Sequence, residues 1–120
     1  MKISRVAEVL NAEILCGDGY LDTELTSAFG ADLMSDVLAF VEENTLLLTG
    51  MVNLHVIRTA EMLDVHCILF VRDKKVPEEI LERARDLDMV ILRTEKTLYT
   101  ACGMLYAQGL PGCTREDCDG

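Results

Sequence analysis

A chain of 120 residues, half of them hydrophobic, has the length of one domain; at that size about two thirds of the unfolded surface is buried without staples. The 21 acidic residues against 11 basic ones give a net charge of −10, which repels a phosphate backbone over most of the surface and excludes nucleic acid as the expected partner. No run approaches the roughly 18 consecutive apolar residues of a membrane span, and Met1-Lys2-Ile3-Ser4 is unlike a signal peptide, so a cytoplasmic protein with no membrane partner is expected.

The chain opens with Ile3, Val6, Ala7 and Leu10 at helical spacing, with Ser4 as a candidate N-cap, so a helix is expected from Ser4 to Asn11. A short strand from Glu13 to Cys16 follows, then the turn signal Gly17-Asp18-Gly19 and an extended segment from Asp22 to Ala28. Phe29-Gly30 breaks the chain before a helix expected from Ala31 to about Glu42. There Leu33, Val37 and Phe40 form one apolar stripe, and Met34, Leu38 and Val41 form a second. One sheet face does not need a band that wide, so the segment is expected to be deeply buried or to meet a second subunit in a homodimer.

Three apolar runs then recur 22 residues apart, beginning at Leu46, Ile68 and Val90. Each interval holds a strand of about five residues, a helix of about ten and two short loops. Continuous apolar strands joined by helical crossovers predict an α/β fold, a three-layer sandwich around a mainly parallel sheet of βα units. Asn53 is a candidate N-cap for a helix to Leu63. Pro77 and Glu78-Glu79 suit the first turn of the next helix, and Leu98, Ala101, Cys102 and Leu105 mark the last. Residues 1–112 are expected to form the domain, and 113–120 a frayed, flexible tail beyond Gly109 and Pro111-Gly112.

Ligands of open parallel sheets bind at the carboxyl ends of the strands, here Thr49-Gly50, Arg72-Asp73 and Arg93-Thr94. The expected site for a small anion is Thr49, Gly50, Asn53, Arg72, Arg93 and Thr94, with Asp32, Ser35 and Asp36 at its edge. Gly50 and Asn53 would supply backbone N–H groups, Thr49 and Thr94 hydroxyls, and the two arginines positive charge. Ion pairing of the arginines with Asp73 or Glu95 competes with that use. The loop is neither a P-loop nor a dinucleotide fingerprint, since it lacks the additional spaced glycines and the Lys-Ser/Thr pair.

Asp32, Ser35 and Asp36 share one helical face. Either carboxylate is a candidate general base for a small hydrolase or transferase, and acids at a helix start also suit its dipole. The five cysteines are an odd number without framework spacing, which fits a reducing compartment. Cys113 and Cys118 leave a redox or metal accessory module as a further alternative, although two ligands four apart, with His55 and His66 isolated, do not make a metal site. No cofactor, metal or catalytic residue is therefore expected.

Two segments carry a family resemblance: Ala28 through Ala39, read as AFGADLMSDVLA, and Leu48 through Asn53, read as LTGMVN and continued by Val56-Ile57-Arg58-Thr59-Ala60-Glu61-Met62. From about Ser4 to Leu110 the chain resembles the small DRTGG-type domains, which are similar to the N-terminal domain of HPr kinase/phosphorylase. The resemblance implies a compact α/β domain that is regulatory rather than catalytic, found alone or beside CBS pairs or phosphate acetyltransferases. Some stand-alone members resemble accessory genes of anaerobic hydrogenase clusters. The Asp-Arg-Thr-Gly-Gly string itself is absent, Thr49-Gly50 standing in its place, and so is any P-loop kinase domain. The expected function is therefore a non-enzymatic regulatory or interaction domain, a homodimer with a possible protein partner, that senses a nucleotide or phosphorylated metabolite.

Overall fold

The computed structural model describes residues 1–35, 37 and 44–113. Five strands, β1 (Glu13–Cys16), β2 (Ser27–Gly30), β3 (Thr45–Thr49), β4 (Cys67–Phe70) and β5 (Val90–Arg93), form one sheet in the order β1-β5-β4-β3-β2. Strands β2 to β5 are parallel, and β1 closes the far edge antiparallel to β5. The helices are α1 (Ile3–Leu10), α2 (Leu54–Met62), α3 (Glu78–Asp86) and α4 (Leu98–Ala107).

Alternation along the strands sorts the core onto the two faces of the sheet. Leu47, Ile68, Phe70 and Ile91 point to one face and pack with Val56, Ile57 and Ala60 of α2 and Ile80, Leu81 and Ala84 of α3. Leu46, Leu48, Leu69, Val90 and Leu92 point to the other, against Ile3, Val6 and Leu10 of α1 and Ala101 and Leu105 of α4. The result is the expected α/β three-layer sandwich. None of the described residues belongs to a helix long and apolar enough to cross a membrane.

Several local expectations are corrected. Ser4 does not cap α1: the helix starts at Ile3, and the N–H groups of Ile3 and Ser4 donate to the Thr23 and Leu21 carbonyls at 3.1 and 3.0 Å. The incoming loop thus satisfies the orphan donors that a side-chain cap would have taken. Asn53 does cap α2, its Oδ1 accepting the Val56 N–H at 3.0 Å, whereas Pro77 precedes α3 as its N-cap residue.

The extended segment runs from Ser27 to Gly30, continuing through the expected break at Phe29-Gly30. Gly30 stays in the strand because α4 packs onto it, leaving a hypothetical Cβ only 2.7 Å from Cys102 Sγ. Half of the expected helix from Ala31 to Glu42 falls outside the described residues, which exclude Asp36, Leu38, Phe40 and Val41. Met34, Ser35 and Val37 are helical; Met34 and Val37 are buried, but Leu33 is 61% exposed and does not belong to the core stripe. Cys113, expected to begin the tail, is docked on β2, and residues 114–120 lie outside the described residues. The Cys113 N–H donates to the Ala28 carbonyl at 3.2 Å, Ala28 N–H donates to the Pro111 carbonyl at 2.9 Å, and Cys113 Sγ lies 3.3 Å from the Ser27 hydroxyl. Residues 111–113 therefore cover the outer edge of β2, which would otherwise present unpaired backbone groups.

Candidate functional site

The site was expected at the carboxyl ends of β3, β4 and β5; the residues that cluster follow β2, β3 and β4. Asp32 follows β2 and reaches across to the loop after β3, where its Oδ1 accepts both the Gly50 N–H at 2.8 Å and the Thr49 hydroxyl at 3.1 Å. Thr49 Oγ1 in turn accepts the Met51 N–H at 3.1 Å, so one buried hydroxyl relays between a carboxylate and the turn. Thr49 and Gly50 both act as donors. Their donors converge on one anionic oxygen, but that oxygen belongs to the chain itself.

Arg72, at the end of β4, lies over the same turn. A Cβ built on Gly50 would meet Arg72 Nη2 at 2.4 Å and the guanidinium carbon at 3.2 Å, so the absence of a side chain at 50 is what lets the cation settle there. Arg72 and Asp73 both hold positive φ, 65° and 51°, a conformation uncommon for residues with side chains. It is fixed from the loop after β5: the Arg72 N–H donates to the Lys96 carbonyl and the Asp73 N–H to the Thr94 carbonyl, both at 2.8 Å. Arg72 is exposed, and among the described residues it makes no ion pair within 4.0 Å.

Arg93 and Thr94 are not brought to this cluster. Arg93 Nη2 donates to both carboxylate oxygens of Glu13, at 3.0 and 3.1 Å, and its Nε lies 3.6 Å from Asp73 Oδ1. Because β5 lies between β4 and β1, Arg93 turns toward the β1 edge while Arg72 turns toward β3. The ion-pair alternative describes Arg93, with Glu13 rather than Glu95 as a partner beside Asp73. Thr94 is buried, and its hydroxyl donates to the Leu10 carbonyl at 2.9 Å, tying α1 to the sheet instead of facing a ligand. Ser35 is exposed, and Asp36 lies outside the described residues.

The thiols are placed for packing. Cys67 is fully buried, and desolvation, reinforced by the neighbouring Cys16, pushes it far above the ordinary thiol range. Burial likewise raises Cys16, whose Sγ donates to the Met89 carbonyl at 3.6 Å, and Cys102. These three are kept as thiols rather than as nucleophilic thiolates. Among the described residues, no group of three His, Cys, Asp or Glu side chains is arranged to hold a metal ion.

Sequence reasoning missed two features. Asp32 is the anion in the loop rather than a residue at its rim, and only the fold brings β2's exit to β3's. A cavity of about 230 Å³ also opens at the opposite, amino-terminal edge of the strands, lined by residues from well-separated segments including Ile3, Tyr20, Asn44, His66 and Asp88. No spacing in the sequence assembles it.

No curated protein matches this chain. Among solved structures, it is similar to the CBS and DRTGG domains of the regulatory region of Clostridium perfringens pyrophosphatase, complexed with the activator diadenosine tetraphosphate. That match has a TM-score of 0.70 at 16% identity. It covers 97% of this chain and 51% of that one, so the chain spans about half the length of the matched structure. The family model of the DRTGG domain matches residues 5–107, which are nearly all of the fold described above, and the chain belongs to the DRTGG domain family.

Proposed function

We propose that this domain is a non-enzymatic sensor of a small anionic ligand, a nucleotide or phosphorylated metabolite, and that the ligand's anionic oxygen replaces the Asp32 carboxylate at Thr49 and Gly50. The convergence of two donors on one carboxylate oxygen, at 2.8 and 3.1 Å, carries this reading, because the geometry that accepts Asp32 suits a phosphate oxygen as well. Arg72 supplies the countercharge: it is exposed, rests on Gly50 and is held by a backbone that its neighbours fix. On a surface of net charge −10, such a local cation is what an incoming anion requires. The family supports a regulatory role, and the matched pyrophosphatase region was crystallised with a nucleotide activator.

Displacing Asp32 couples ligand to conformation. Asp32 leads directly into the helical residues Met34 and Ser35, so freeing its carboxylate releases the start of that segment from the β3 turn. The domain, residues 1–112 with Cys113 docked on them, is read as cytoplasmic and homodimeric and as able to engage a protein partner. Exposed Leu33 and the charge-free helix α4, with Tyr99 and Tyr106 exposed, offer the apolar surface that a second copy needs.

A thermal-shift screen against nucleotides, phosphorylated metabolites and acyl phosphates tests the reading. A ligand at 100 times its Kd adds about 2.7 kcal/mol of stability. No shift from any of these classes refutes it. Turnover of a screened compound that Asp32→Asn abolishes would instead make the domain a small hydrolase or transferase with Asp32 as its base.

A further inference from the structure

We propose that the cavity at the amino-terminal edge of the strands is a second binding site, for a neutral planar nitrogen heterocycle of nucleobase size, taken as the free base or nucleoside. Its volume of about 230 Å³ lies below the range of drug-sized pockets, about 300–1,000 Å³, and suits one fused ring system with a small substituent. Its floor is apolar and fully formed: Ile3, Cys67 and Val90 are each 1% exposed and Leu25 is 3% exposed. Thr45, also buried, borders this apolar lining, and the exposed polar residues Tyr20, Thr23, Asn44, His66 and Asp88 lie around the mouth, as in a site that buries a ring and reads its edge.

The mouth has the chemistry to recognise a base. Tyr20, 46% exposed, presents an aromatic ring at the rim of the cavity, and the Asp88 carboxylate lies beside it on the same rim. Asp88 accepts hydrogen bonds from amino or ring N–H groups, the Asn44 amide both donates and accepts, and His66 adds a second aromatic ring. The rim backbone is fixed, since Thr26 N–H donates to the Asn44 carbonyl at 3.0 Å and Val90 N–H to the His66 carbonyl at 2.7 Å. Among the described residues no lysine or arginine lines the cavity, and Asp88 repels anions, so the site selects the neutral heterocycle and not a phosphate.

This site is independent of the anion site. Thr45 borders the cavity and Thr49 borders the Asp32 cluster, at opposite ends of β3, about 13 Å apart along a strand. The test is an amide chemical-shift titration of the 120-residue protein with adenosine, with inorganic phosphate as the comparator. Adenosine is expected to shift amides around Tyr20, Asn44, His66 and Asp88. Tyr20→Ala should weaken binding at least fivefold, roughly the low end of the loss for one base–aromatic stack, while Tyr20→Phe, which keeps the ring, retains it. Both variants alter a partly exposed residue, and an unchanged spectrum elsewhere shows that each is folded. The proposal is overturned if adenosine, guanosine and cytidine shift no amide at millimolar concentration, or if Tyr20→Ala binds as wild type. It also fails if Tyr20→Phe loses as much affinity as Tyr20→Ala. Shifts confined to Gly50 and Arg72 would overturn it while leaving the anion site standing.

Discussion

Asp32 and Gly50 belong to loops that leave neighbouring parallel strands, and the carboxylate of one closes on the backbone N–H of the other at 2.8 Å. The same oxygen takes the Thr49 hydroxyl, so one side chain ties the exit of β2 to the exit of β3. Hydrogen bonds to a charged group contribute about 1.5–3 kcal/mol when buried, and solvent at this exposed carboxylate lowers that. Asp32→Ala is accordingly expected to lose about 1–2 kcal/mol in urea denaturation with an unchanged slope. An unchanged midpoint would mean that the tie contributes nothing to the fold.

Gly50 is needed for space and not for backbone conformation. Its φ lies outside the left-handed region, while an added Cβ would meet the far end of the mobile Arg72 side chain at 2.4 Å. Gly50→Ala should therefore leave Tm nearly unchanged, with a cost below about 1 kcal/mol, because the guanidinium can swing away. Affinity for the anionic ligand should fall as the cation leaves the turn. A drop in stability comparable to a core truncation, about 2–5 kcal/mol, would show that the backbone itself is crowded.

Burial of Cys67 makes stability depend on alkaline pH. Its folded-state pKa is raised, so its contribution is complete below the ordinary thiol value of 9.0 and is lost as pH rises above it, where the unfolded chain ionises and the folded one does not. The unfolding free energy is expected to fall by about 1.4 kcal/mol per pH unit from this thiol, and Cys67→Val should flatten that slope. Denaturation curves from pH 8 to about 10.5 measure it, and equal slopes in both proteins would contradict the assignment.

The Arg93–Glu13 pair is a clasp at the antiparallel edge of the sheet. With Arg93 26% and Glu13 55% exposed, a double-mutant cycle of Arg93→Met and Glu13→Gln is expected to give a coupling below about 1 kcal/mol. Ligand affinity should be unaffected in both single variants. A tenfold loss of affinity in Arg93→Met would return this arginine to the binding site.

The architecture was legible in the apolar runs, because a strand covered on both faces needs continuous hydrophobic side chains and its crossovers need helices of fitting length. The register was not. Leu46 pairs with Cys67 and Cys67 with Val90, so the true offsets are 21 and 23 residues and not 22. A shift of one exchanges the two faces, and the run starting at Ile68 omits Cys67, whose thiol is a buried strand residue. Gly30 was misread as a break because glycine in a strand also marks close approach, here by Cys102 of α4. At the strand ends, Thr49, Gly50 and Arg72 follow from the apolar runs, whereas Asp32 was read as a helical residue at the rim, and the partners of all four depend on strand order. That order sends Arg93 to Glu13, Arg72 to Gly50 and Asp32 to the donors expected to be free.

The central claim is that Asp32 occupies the place of a ligand anion, and isothermal titration of ATP into the wild type, Asp32→Ala and Arg72→Met tests it most directly. Removing the internal competitor should tighten binding about tenfold in Asp32→Ala even as that variant loses stability, and removing the cation should weaken it by at least as much. Absence of ATP binding in all three proteins would contradict the account. So would binding by Asp32→Ala no tighter than wild type.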